Sequence, residues 1–227
     1  MVEGYLSKEL NKIKKEILSL GTLVEDRFKN AMYAVKINNL ELAQSIIDTD
    51  HEVDDREIEI EEECLKVLAL YQPVAGDLRL IVAIIKINND LERIADLAKS
   101  ISRRLKSAVK SSSAPFEYDY TYMAEKVGKM FKLSLDAIVG MDVDMAHQVI
   151  GMDEDVNTMR NDAYEYMKKS VDSKESDLDR VINMYLISRH LERIADHTTN
   201  IAEEVVHLVE GRIIRHRSPG TPYPKKK

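Results

Sequence analysis

The hexapeptide LERIAD stands at Leu91–Asp96 and again at Leu191–Asp196, 100 residues further on. Two identical strings at that separation mark an internal duplication, and a duplication constrains the fold: each copy must bury its apolar surface against itself or against its twin. The flanking sequence agrees. MYAVKINNLELAQSIIDTDHEVD, Met32 to Asp54, aligns with LDAIVGMDVDMAHQVIGMDEDVN, Leu135 to Asn157, at a shift of 103, and DLRLIV aligns with DLDRVI at a shift of 100.

The repeated unit is helical. Glycine (8), proline (5) and phenylalanine (3) are scarce, tryptophan is absent, and 32% of the chain is charged and interleaved with aliphatic residues, the make-up of a helical bundle. In each half three helices are expected. The first ends near Ile37 at KINNLE, the second runs from about Leu40 to Tyr71, and QPVAG breaks the chain before a third capped by Asp77. The second half repeats the plan, with turns near GMDVD and SVDSKES. SAVKSSSAPFEYD, Ser107 to Asp119, interrupts helical periodicity and reads as the joint. The fold class is therefore all-α: six helices in two tandem antiparallel three-helix bundles, residues 1–110 and 111–211, followed by a basic disordered tail at 212–227.

Core stripes follow from spacing. Ile84, Ile87, Leu91, Ile94, Ala98, Ile101 and Leu105 recur at three and four residues, as do Met184, Ile187, Leu191, Ile194, Thr198, Ile201 and Val205. Methionines 32, 130, 145, 159, 167 and 184 are expected to fill the core or its edge. The single cysteine, Cys64, excludes an internal disulfide and reads as a small buried hydrophobe in a reducing cytoplasm. A net charge of −7 disfavours nucleic acid as the partner, and no stretch is apolar enough to enter a membrane.

The acids inside the hexapeptide carry the functional signal. Glu92 and Asp96 lie about 40° apart on an ideal helix and roughly 150° from the core stripe, and Glu192 and Asp196 repeat them. The preceding helix offers Asp50 with Asp54, matched in the second half by Asp153 with Asn157. Antiparallel neighbours would bring these oxygens together in each half, and Asn200 and Glu203 extend the second stripe. Hard cations take such clusters, which leaves iron, manganese, magnesium and calcium open, while zinc prefers sulfur and imidazole. His190 and His197 lack histidine equivalents in the first half, where Asp90 and Leu97 stand. The plain alternative is a solvated face.

QPVAGDLRLIVAIIKINNDLERIADLA and LERIADHTTNIAEEV resemble the paired signatures of the PhoU family of phosphate-uptake and phosphate-signalling regulators, and the resemblance spans about Leu6 to Leu208. It implies two three-helix bundles, a homodimer, and metal ligation by Asp50, Asp54, Glu92, Asp96, Asp153, Glu192 and Asp196. Asn157 stands where the family pattern carries an acid, and Ala95 and Ala195 where glycine is common. The implied role is non-catalytic and cytoplasmic: an adaptor that restrains the high-affinity phosphate ABC transporter through its ATPase subunits and keeps starvation genes off through a membrane sensor histidine kinase. No organic cofactor is expected. The rival reading is a metal-binding or metal-storage bundle, or a carboxylate-metal enzyme.

Overall fold

A computed structural model of the chain describes residues 2–111, 118–171 and 177–214. Its helices are α1 (Val2–Ile37), α2 (Leu40–Asp48), α3 (His51–Tyr71), α4 (Ala75–Ser111), α5 (Thr121–Gly140), α6 (Val143–Val171) and α7 (Leu178–Glu210). α1, α2–α3 and α4 form the three arms of one bundle, and α5, α6 and α7 those of the other.

The expected single helix from Leu40 to Tyr71 is broken in two at Thr49 and Asp50. The reason is a competition for one carbonyl: the Arg27 guanidinium of α1 donates to the Thr49 oxygen, and Glu52 N–H reaches the same oxygen at 3.1 Å, tightening the turn to an i to i+3 bond. The third arm starts at Ala75, so Asp77 lies inside its first turn, where the helix dipole favours an acid, rather than at the cap. Other ends follow ordinary capping. Asn39 Oδ1 accepts from Leu42 N–H at 2.9 Å, Asp177 Oδ1 accepts from Asp179 N–H at 2.9 Å, and Gly211 closes α7 at φ 67°. The expected joint from Ser107 begins later: α4 stays helical through Ser111 with Ala108 fully buried, while 112–117, most of the turn near SVDSKES and the tail from 215 onward lie outside the described residues. At the start of that tail Ile214 is buried and Arg212 pairs with Glu210.

Every residue of the two predicted stripes is buried. Met32, Met130 and Met184 are core, Met159 and Met167 pack against it, and Met145 is exposed, a departure from the expected filling. Cys64 is fully buried and its thiol is pushed up to about 12 by burial, which leaves it an inert hydrophobe. No described helix is long and apolar enough to cross a membrane.

The two bundles share one seam, the antiparallel packing of α4 on α7. Within the two hexapeptides Leu91, Ile94, Leu191 and Ile194 are fully buried, and Ala95 and Ala195 are at most 2% exposed. Polar clamps line the same seam: Lys86 with Glu204 at 3.4 Å, Arg104 with Asn183 at 3.2 Å, and His197 Nδ1 with Asp90 at 2.8 Å. α1 and α5 meet beside it, where a Cβ on Gly21 would lie 2.7 Å from Leu135 Cδ2.

Leu91→Ala removes a fully buried side chain from the α4 core stripe and is expected to cost about 2–5 kcal/mol of unfolding free energy. Chemical denaturation of the variant beside an exposed control, Leu70→Ala, checks it.

Candidate functional site

In each half the middle and third arms bring the predicted acids onto one face. In the first half the break at Thr49 turns Asp50 inward, leaving it 5% exposed, while Asp54 stays exposed one turn further along α3. Glu92 and Asp96 face them from α4. The carboxyl of Asp54 is raised by partial loss of water beside its neighbours and by the charges of Asp50 and Asp96 against the pull of Lys99, and that of Glu92 by burial, then by Asp96 and Asp54 against the pull of Arg93. Four carboxylates therefore sense one another, as the spacing predicts.

Two cations sit among them that the motif did not reveal. Lys99 Nζ pairs with Asp50 Oδ2 and lies 3.4 Å from Asp96 Oδ1, and Arg27 Nη1 stands 3.9 Å from Asp50 Oδ1. Arg27 also donates to Glu52 at 3.0 Å. Arg93 adds contacts of 3.3 Å to Glu92 and 3.7 Å to Asp96. The signal that finds Lys99 and Arg27 is the duplication itself. At the shifts of 100 and 103 their counterparts are Thr199 and Met130, so a charged pair in one copy faces a neutral pair in the other.

The second face is built differently. Asn157 donates to Asp153 Oδ2 at 3.1 Å along α6. Glu192 is held by Arg160 at 3.2 Å and by Arg189 at 3.0 Å. Asp196 is raised by burial, then by Asp153 and Glu192, against the pull of His197 and Arg189, and Asp153 is raised by burial, with Asn157 and Thr199 opposing and Glu154 and Glu192 adding. Neither Asp153 nor Asp196 has a cation within ion-pair distance among the described residues.

Asn200 and His197 do not join this set. Both bond to Asp90 of α4, at 3.2 Å and 2.8 Å, and so fasten the seam between halves. His190 is likewise apart: both ring nitrogens are buried without a partner, and burial with the charges of Arg104, Arg193 and Arg189 pushes it down to about 4, so it is neutral.

The donor chemistry answers differently in the two halves when tested against a metal ion. Among the described residues no three His, Cys, Asp or Glu side chains are already gathered as a group that could hold one. In the first half the space between Asp50 and Asp96 is bridged by an ammonium, which does not fit a metal ion. In the second, Asp153, Asn157, Glu192 and Asp196 are hard oxygen donors, and neither Asp153 nor Asp196 is bridged by an ammonium, so the donor types suit a hard cation although they are not gathered into a ready group.

A duplicated pair of three-helix bundles with an acidic face on each defines the class, a tandem-repeat all-helical protein. The family model of the PhoU domain matches residues 17–105 and again 121–205. The chain is 35% identical over 216 residues to the phosphate-specific transport system accessory protein PhoU homolog of Pseudomonas aeruginosa, covering 95% of this chain and 89% of that one. It is 34% identical to the protein of the same description from Aquifex aeolicus, over 93% and 96%. The crystal structure of PhoU from Pseudomonas aeruginosa superposes with a TM-score of 0.87 at 35% identity, covering 91% of this chain and 99% of that one. That of the phosphate transport system regulatory protein PhoU from Streptococcus pneumoniae gives 0.83 at 25% identity, over 92% and 99%. The chain belongs to the PhoU family.

Carboxyls raised in the folded state bind protons that the unfolded chain has already released, so their penalty is full at neutral pH and is relieved as pH falls through the raised values. Asp196→Asn in chelator is therefore expected to stabilise the protein at pH 7 by a few tenths of a kcal/mol, and the gain should vanish below the ordinary aspartate value of 3.8. Melting curves of both proteins across that range measure it.

Proposed function

We propose that this chain is a phosphate-transport accessory protein, a non-catalytic cytoplasmic adaptor that restrains the high-affinity phosphate ABC transporter and lowers phosphate-starvation signalling through a sensor histidine kinase. The observation that carries the reading is its near end-to-end likeness to phosphate-specific transport system accessory proteins, at 35% identity over 95% of the chain. The transporter's ATPase subunit is the proposed contact, and a homodimer the proposed assembly.

The acidic faces suit an adaptor because charge on a rigid helical face sets which partner docks and how fast. Asp153, Asn157, Glu192 and Asp196 are the residues proposed to hold an iron, manganese, magnesium or calcium ion. When bound, the ion would supply positive charge that removes the mutual repulsion of these carboxylates. Asp153 and Asp196 would close the ion from α6 and α7, while Arg160 and Arg189 keep Glu192 oriented. A face so altered in charge is a local switch for docking.

Purified chain and the ATPase subunit of its own organism's phosphate transporter should form a complex in analytical ultracentrifugation. Deletion of the gene should raise a phosphate-starvation reporter in replete medium. The combined substitution Glu192→Gln with Asp196→Asn should weaken the complex about tenfold, or about 1.4 kcal/mol. A wild-type chain that does not associate, together with a reporter indifferent to the deletion, would overturn the proposal.

A further inference from the structure

We propose that the first acidic face is closed by its own cations: Lys99, backed by Arg27, holds the place a metal ion would take between α3 and α4, so that added metal enters the second face alone. The inference rests on the reading of the second face as a cation site and extends it to a difference between the two copies.

The geometry is direct. Lys99 Nζ reaches Asp50 Oδ2 at the head of α3 and Asp96 Oδ1 on α4. It thus cross-links the two helices whose acids a metal would bridge. The other Asp50 oxygen faces Arg27, so both are engaged. Arg27 and Asp50 side chains are each only 7% exposed, so the arginine is a built part of the face rather than a surface neighbour. A divalent ion entering there must displace an ammonium and then sit beside a nearly buried guanidinium, both like-charged. An ammonium also meets the face's need for positive charge without depending on the ion supply, although it donates hydrogen bonds instead of taking several oxygen ligands.

The second copy shows what the face is without this device. Thr199 and Met130 replace the two cations. Arginines are present, but both converge on Glu192, from α6 and from the preceding turn of α7. Their own equivalents in the first copy are Glu57 and Asn89. The copies have therefore exchanged where positive charge is placed: on the inner aspartate in one, on the glutamate in the other. Asp153 and Asp196 make no ion-pair contact among the described residues, Asp196 feeling Arg189 and His197 only at longer range, which leaves room for a cation from solution.

The test uses the full chain, stripped with chelator and dialysed to equilibrium against Mn(II), with retained metal read by elemental mass spectrometry and folding by circular dichroism. The wild type should retain metal that Asp153→Asn with Asp196→Asn removes and that Glu92→Gln with Asp96→Asn leaves unchanged. Lys99→Thr with Arg27→Met, importing the second copy's residues, should about double the retained metal, and its melting temperature should rise on Mn(II) addition. Lys99→Met, which keeps the length of the side chain, serves if that pair fails to fold. Equal losses from the two acid pairs, or no gain from any Lys99 variant that folds, would overturn the proposal. A wild type that retains nothing while the Lys99 variant gains metal would support the closed first face and reject the reading of the second as a cation site.

Discussion

The antiparallel packing of α4 on α7 is the constraint on which the molecule depends. The seam is pinned by Lys86–Glu204, Arg104–Asn183 and Asp90–His197, and Leu91, Ile94, Leu191 and Ile194 of the hexapeptides are fully buried. Because the core stripe of each helix is consumed there and in its own bundle, Glu92, Asp96, Glu192 and Asp196 can only point away from it, toward the neighbouring middle arm. The same hexapeptide that fills the core therefore aims its acids outward. Fold and site are two faces of one repeated sentence of sequence, and the polar clamps at Lys86–Glu204 and Asp90–His197 fix its register.

Local backbone detail then makes the halves unlike. Arg27 takes the Thr49 carbonyl, the middle arm breaks, and Asp50 becomes the N-terminal neighbour of α3 with almost no exposure. Burying that carboxylate is tolerable only because Lys99 and Arg27 accompany it, since an unpaired charge at such a position is costly. In the second half α6 is continuous through Asp153, which remains partly accessible and leans on the neutral amide of Asn157. One arginine, through its bond to a backbone oxygen, thus links helix geometry to site electrostatics.

Much of this was legible in the sequence, and what was not has physical reasons. Period and duplication reveal the arms, the stripes and the convergence of Asp50, Asp54, Glu92 and Asp96, because those depend on spacing alone. The break at Thr49 depends on a guanidinium 22 residues away, which no local pattern encodes. Asn200 shares a helical face with Asp196 yet bonds to Asp90 across the seam, because tertiary packing decided between two partners that spacing could not rank. Lys99 lies three residues beyond Asp96 in plain view. Its role emerges only when the two copies are compared position by position and Thr199 is found in its place.

The two acidic faces differ in where positive charge is placed. Crystals of the metal-stripped chain soaked in Mn(II) and measured at a wavelength where manganese scatters anomalously would show this directly. The expected difference map has density between Asp153 and Asp196 and none between Asp50 and Asp96, where the Lys99 ammonium remains. Matching peaks on both faces, or a peak on the first face alone, would contradict it.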